Sequence, residues 1–313
     1  DLRGHLMTTP ALFLLTGKGG AGKTTTAAAL ALALADAGHT TRIASLDPAH
    51  NLGDVLGVDV GPRATSITPR LSALEVDIEG HMNAQIRATR DLVRQRYRYL
   101  AVGSLDPLID LLGQAPGAEE QAAVEIMLDL AQKADESGDD LILDLPPSGQ
   151  ALRMLALPAL TARWAQSLLK LRSRILSRRG SIHHILRDES PTVDADGTSL
   201  PEDPDRDPVT LNLRRHLARH QAFADRLKDA EQARVIVVSL PSAICLSETR
   251  RLLAGLKKRA CSQSALVINR ANDAETTQIS WPETPNAFVP DLGHEPRGVD
   301  ELRRLNEALR CFI

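Results

Sequence analysis

The sequence predicts an α/β chain, a doubly wound and mostly parallel sheet with a helical subdomain inserted between its strands. Three observations carry that expectation. Short apolar runs at 11–16, 40–46, 71–78, 139–144, 235–240 and 265–269 alternate with helix-friendly stretches, giving roughly six or seven strands. The first run passes through a glycine-rich turn straight into an Ala/Leu-rich stretch, a β-α-β start; parallel strands require such crossovers. Two runs leave the sheet at an aspartate, Asp47 and Asp144, where open α/β sheets present their chemistry.

The first run, Ala11-Leu12-Phe13-Leu14-Leu15, is followed by Gly17-Lys18-Gly19-Gly20-Ala21-Gly22-Lys23-Thr24. A helix is expected over 23–37, stopped by Gly38. The spacing from Gly17 to Gly22-Lys23-Thr24 fits a phosphate-binding loop, and the flanking strand and helix are both readable. Glycines let backbone N–H groups curl around an anion with no Cβ in the way. The helix start adds its dipole and open donors. Lys23 supplies point charge to the β and γ phosphates, and the Thr24 hydroxyl suits Mg2+. Thr25 carries the loop into its helix. A second lysine, Lys18, goes beyond the ordinary loop.

The 40–46 strand leaves at Asp47-Pro48-Ala49-His50-Asn51-Leu52. A carboxylate there can hold water in line with a γ phosphate; the alternative is a plain turn start. After the 71–78 strand, 82–101 and 118–135 read as helices. The 139–144 strand ends in Asp144, an acid placed to sit near Mg2+, and Pro146-Pro147-Ser148-Gly149 follows as a loop able to sense the γ phosphate. Next, Leu160, Trp164, Leu168, Leu171 and Ile175 recur at spacings of 4, 4, 3 and 4 on one helix face. Arg163, Lys170, Arg172, Arg174, Arg178 and Arg179 occupy the other face. The apolar stripe reads either as ordinary core or, with Leu108, Ile109, Leu111 and Leu112, as a groove in a dimer. A loop over 188–208, a helix over about 208–231, the last two strands and a helix over 298–310 complete the chain. The expectation is one domain over 7–313 with helical insertions at about 82–136 and 158–232; residues 1–6 read as a non-native leader before Met7.

Composition narrows the classes. Hydrophobic residues make up 43% of the 313, but aromatics only 3%, so the core is aliphatic. A net charge of −3 argues against sequence-specific nucleic-acid binding. Cys245, Cys261 and Cys311 are scattered, with no C-x-x-C pair, which suits a reducing cytoplasm and excludes a disulfide framework. No apolar stretch is long enough to span a membrane.

The Lys18-containing loop resembles the deviant Walker A group of P-loop NTPases: the MinD/ParA partition ATPases, the nitrogenase iron protein and the ArsA/Get ATPases. Asp47-Pro48-Ala49-His50-Asn51-Leu52 resembles the first switch of the ArsA/Get branch, D-P-A-H-x-L. Asp144, Pro147, Gly149, Leu152 and Arg153 match its second switch, with Ser148 for Thr and Gln150 where that branch commonly has His. Pro241, Leu246, Glu248, Thr249 and Leu252 look like its P…L…E-T…L stretch, and Val289-Pro290 with Glu295-Pro296-Arg297-Gly298 its closing purine loop.

The resemblance implies an ATP- and Mg2+-dependent ATPase that works as a homodimer, with Lys18 reaching the partner's nucleotide. It gives Asp47 and Lys18 catalytic roles, and Thr24 and Asp144 the metal. Nucleotide contacts fall to Gly17, Lys18, Gly19, Gly20, Ala21, Gly22, Lys23, Thr24, Thr25, Asn269 and Pro290, with the Asn269 amide offering adenine a donor and an acceptor together. The implied client is an arsenite or antimonite efflux partner, or a tail-anchored membrane protein presenting a hydrophobic helix. The cysteines fall outside the helical insertions, where a thiolate site for As(III) is expected. No cysteine lies between Asn269 and Pro290, so no zinc is expected. The alternative is a MinD/ParA-like positioning ATPase acting on a membrane or nucleoid surface.

Overall fold

The computed structural model describes residues 11–49, 51–96, 111, 115–186, 205–259, 264–271 and 286–313. Within them, eight strands form one sheet: β1 (Leu12–Gly17), β2 (Thr41–Ser45), β3 (Thr65–Thr68), β4 (Leu71–Glu75), β5 (Asp140–Asp144), β6 (Ala233–Ser239), β7 (Ser264–Ala271) and β8 (Asn286–Pro290). Their order is β3-β4-β2-β5-β1-β6-β7-β8, parallel throughout except where β3 pairs antiparallel with β4. The α/β class and the mostly parallel sheet follow the reading of the sequence. Two strands escaped it. β3 is short, polar and half-exposed at the edge, and β8 is short and ends in a proline; edges tolerate both features.

The chain divides into two compact units. The first, Asp1–Ile78, Ala123–Leu155 and Asp225–Ile313, holds the whole sheet. Its central strands are apolar along their full length; every residue of β1 and β5 is buried. Such runs belong to parallel sheets covered on both faces. Helix α1 (Lys23–Asp36) is likewise buried along most of its length, and its alanines let it lie close to the sheet. α2 (Leu52–Leu56) is one short turn more than a loop, tied down where Glu75 Oε1 accepts from the Gly53 N–H at 2.9 Å.

The second unit, Glu79–Ala122 and Ala156–Ala224, is helical in its described residues. The helices in chain order are α3 (Ile78–Arg96), α4 (Ala118–Ser137), α5 (Ser148–Leu186) and α6 (Pro208–Arg226). Both α4 and α5 extend from one unit into the other along the chain. After β6 come α7 (Ala243–Lys258), α8 (Val299–Arg303) and α9 (Asn306–Leu309).

Several boundaries differ from expectation. The strand expected to reach 78 stops at Glu75, because Ile78 already opens α3. The closing helix expected over 298–310 is two short helices and a 3-10 turn, Arg310–Phe312. The stripe on α5 loses its reading as ordinary core. Leu160, Trp164, Leu168, Leu171 and Ile175 do share a face, but that face is exposed, from 38% at Ile175 to 69% at Trp164. The buried seam of α5 runs through Met154, Leu155, Ala162, Ala165 and Leu176 instead. Small alanines permit close packing there and carry little weight in a hydrophobic pattern. Leu111 is exposed, whereas Leu108, Ile109 and Leu112 lie outside the described residues.

The basic face of α5 is not uniform. Arg163, Lys170 and Arg174 are exposed, while Arg172 turns onto Asp207, the residue before α6. The Arg172 fork donates from Nε to Oδ2 at 3.0 Å and from Nη2 to Oδ1 at 2.9 Å. Oδ2 also accepts from the Thr210 N–H at 3.0 Å and the Thr210 hydroxyl at 2.6 Å. Asp207 therefore caps α6 and pairs with α5 at once. The arginine fork, joined by the Thr210 donors, outweighs burial and holds its carboxyl far below the usual carboxylate range. The side chains of Arg178 and Arg179 lie outside the description.

Candidate functional site

Strand order and register assemble the site. β1 lies between β5 and β6, where the direction of winding reverses, the position at which doubly wound sheets bind ligands. Leu15 pairs with Asp144, and Ser45 pairs with Asp144 from the other side. Both aspartates found in the sequence thus come to the strand ends beside the glycine loop.

Two glycines are required by close approach. A Cβ on Gly17 would lie 2.1 Å from the Val238 carbonyl oxygen, so the loop leaves β1 pressed against β6. A Cβ on Gly22 would lie 2.1 Å from Asn269 Nδ2, and Gly22 itself has φ +85°, left-handed backbone that favours glycine. Asn269 reaches so near because its amide donates to the Ala21 carbonyl at 2.9 Å. Its Oδ1 accepts from the Arg270 N–H at 3.0 Å. One N–H and one lone pair of the amide are left over by these two bonds.

Asp144 is fully buried. Its Oδ2 accepts from the Thr24 hydroxyl at 2.7 Å and from the Ser45 hydroxyl at 3.3 Å. Its Oδ1 has no hydrogen-bond partner among the described residues. Burial pushes its carboxyl up to about 6; the Thr24 bond and the Lys23 charge oppose that rise, and the Asp47 charge adds to it. A buried, orphaned carboxylate oxygen is costly, and beside a phosphate loop it fits a divalent cation or its water. Ser45 was not singled out in the sequence; its only signal was its place at the last position of β2.

Lys23 is buried, and its Nζ lies 3.4 Å from Asp47 Oδ2. Asp47 Oδ1 accepts from the Ala49 N–H at 3.2 Å, so the same carboxylate shapes its turn and faces the loop lysine. His50 lies outside the described residues. Lys18 points elsewhere: its Nζ sits 3.4 Å from Glu248 Oε2 on α7. Glu248 Oε1 also accepts from the Ser148 hydroxyl, at 3.3 Å, at the first residue of α5. Glu248 stood out in the sequence only as part of a longer pattern, and its double contact was not legible there.

Lys23, Thr24, Asp47 and Asn269 border a cleft of about 480 Å³, within the range of small-molecule sites. Its lining includes Gly19, Gly20, Gly22, Lys23, Thr24 and Thr25 of the glycine loop, with Asp47 and Pro147. It also includes Asn269, Arg270, Pro290 and the residues from Asp291 to Arg297, omitting Gly293. Gly17, Ala21 and Asp144 are not among the lining residues, and Lys18 is turned to Glu248. All of these residues belong to the first unit.

The sequence profile of the ArsA family, described as anion-transporting ATPase, matches residues 11–309. The chain belongs to this family. An ArsA-family ATPase has relatives among proteins of several kingdoms. This one is 31% identical to the uncharacterized protein SCO2128 of Streptomyces coelicolor, over 93% of this chain and 74% of that protein. It is 27% identical to ATPase GET3B of Arabidopsis thaliana, over 95% of this chain and 78% of that one. The same identity relates it to a protein of Prosthecochloris vibrioformis named as an arsenical pump-driving ATPase, over 95% of this chain and 71% of the relative. As an ATPase of this family, the chain binds a nucleotide. No helix among the described residues is long and apolar enough to cross a membrane.

Proposed function

We propose that this ArsA-family ATPase is a Mg2+-dependent, homodimeric switch that couples ATP hydrolysis to a hydrophobic helical client. The convergence of Lys23, Thr24, Asp47 and Asp144 at the end of the glycine loop carries the reading. Loop N–H groups and Lys23 bind the β and γ phosphates. Thr24 and Asp144 hold the cation, which supplies charge neutralisation at the transferring phosphoryl group. Asp47, now engaged with Lys23, is released from that pair when phosphate takes the lysine, and it then orients the attacking water. Lys18 leaves Glu248 to reach the nucleotide of the second copy. Asn269 and Pro290 take the adenine.

The exposed stripe from Leu160 to Ile175 favours an apolar helix over a metalloid as client. It lies on the helix that begins at Ser148, beside Glu248. The relatives named for arsenical pumping keep the metalloid as the competing outcome. Asp47→Asn is expected to bind ATP and to lose turnover by at least about 100-fold, the scale of a lost catalytic acid or base; normal turnover refutes the assignment. Stimulation of ATPase activity by a transmembrane peptide but not by As(III) or Sb(III) supports the client reading, and the reverse pattern overturns it.

A further inference from the structure

We propose that Arg270 forms the face of the nucleobase subsite, a specificity-determining residue that stacks its guanidinium on the base while Asn269 meets the base edge. The proposal rests on the nucleotide reading of the cleft and adds a residue to it. The register of the last strands is its starting point. Ile268 lies opposite Phe288 and Ala271 opposite Pro290, so Asn269 and Arg270 together face the single residue Val289. That is a bulge, a device that re-aims a side chain beside a site.

Arg270 takes φ +54°, the one positive φ at a non-glycine residue among the described residues. Left-handed backbone is disfavoured for a residue bearing a Cβ, and arginine lacks the short polar side chain that eases it for Asn or Asp. Its surroundings therefore impose it. The Arg270 N–H is fixed on Asn269 Oδ1, and Asn269 is fixed on the Ala21 carbonyl of the glycine loop. The outcome is a division of labour between consecutive residues: Asn269 is buried against the loop, and Arg270 stands exposed on the cleft wall.

The guanidinium lies 3.7 Å from Glu295, another lining residue, and both side chains are well exposed. An exposed pair at that distance is weak and yields to a ligand. A guanidinium is planar and weakly hydrated and stacks on aromatic faces; an ammonium does not match that geometry. The cleft's other cation of this kind, Arg297, sits on ordinary backbone and serves as the comparison.

The test is titration of the full chain with ATP, GTP, CTP and inorganic tripolyphosphate in the presence of Mg2+, with steady-state kinetics alongside. Arg270→Ala and Arg270→Lys are both expected to weaken ATP and GTP binding about tenfold, about 1.4 kcal/mol. CTP, with its smaller ring, loses less, and tripolyphosphate, with no base, loses nothing. KM for ATP rises with the dissociation constant while kcat shifts by less than about twofold. Arg270→Gly removes the side chain and suits the backbone, so it weakens ATP binding as alanine does while melting no lower than wild type. Full rescue by lysine, an equal loss of tripolyphosphate, or a larger effect from Arg297→Ala overturns the proposal. Wild-type protein that binds no ATP overturns the nucleotide reading itself; wild-type binding with an unaffected Arg270→Ala overturns this inference alone.

Discussion

Asp144 and Asp207 are both buried aspartates, and both accept a threonine hydroxyl, yet their carboxyls move in opposite directions. Asp207, in the helical unit, receives the fork of Arg172 and two donors from Thr210, and its charge is held. Asp144, in the sheet unit, receives two hydroxyls on one oxygen and, among the described residues, nothing on the other, and burial drives its carboxyl up to about 6. The difference separates a carboxylate whose oxygens both have donors from one with an oxygen left over. Burial alone does not set a carboxylate apart; a buried oxygen without a partner calls for a physical reason.

The largest expected effect breaks the satisfied member. Asp207→Ala removes the carboxylate that the Arg172 fork grips and the cap of α6, and is expected to cost about 3–5 kcal/mol of stability, the scale for breaking a buried pair. Denaturant unfolding measures it; a loss below about 1 kcal/mol would make Asp207 as dispensable as a surface acid.

The second prediction concerns the unsatisfied member. Asp144 has a folded pKa above the ordinary 3.8. In the metal-free protein its stabilising contribution, relative to the ionised form, is complete below about pH 4 and is lost as pH rises through about 6. A shift of that size is about 3 kcal/mol at most. Metal-free Asp144→Asn is therefore expected to gain on wild type as pH goes from 4.5 to 7.5, while losing Mg2+-dependent turnover. Asp207 runs the other way, since its contribution is present at neutral pH and is lost on acidification below about 4. Parallel pH–stability curves for Asp144→Asn and wild type would dissolve the contrast.

The third effect is smaller. Arg172→Lys keeps the charge on Asp207 and loses the bidentate fork, for about 1 kcal/mol. Smallest is Ser45→Ala, which removes one of two donors to Asp144 Oδ2 at a long 3.3 Å. It is expected to cost less than about 1 kcal/mol of stability and to push the Asp144 carboxyl further up, seen as a basic shift in the pH dependence of metal-free stability.

Legibility followed the range of the interactions. The glycine loop, Asp47 and Asp144 could be read because each is a local pattern: strand, turn, charged residue. The sheet could be read because its buried strands are unbroken apolar runs. Ser45, Glu248 and Arg270 could not, because their meaning comes from a neighbouring strand or helix far away in sequence. Ser45 matters only through its register with Asp144, and Arg270 only through a bulge against β8. The exposed face of α5 was ambiguous for another reason. Its large residues drew the eye, while alanines formed the packed seam.

The contact between Gly17 and Val238 has a consequence in time. The glycine loop is pressed into shape by a strand made roughly 220 residues later. At about 5–20 residues per second of synthesis, the glycine loop waits tens of seconds for that strand. Its first neighbour to arrive is β5, then β6 closes the other side. A nascent chain stalled before 233 holds every residue of the glycine loop without the wall that shapes it.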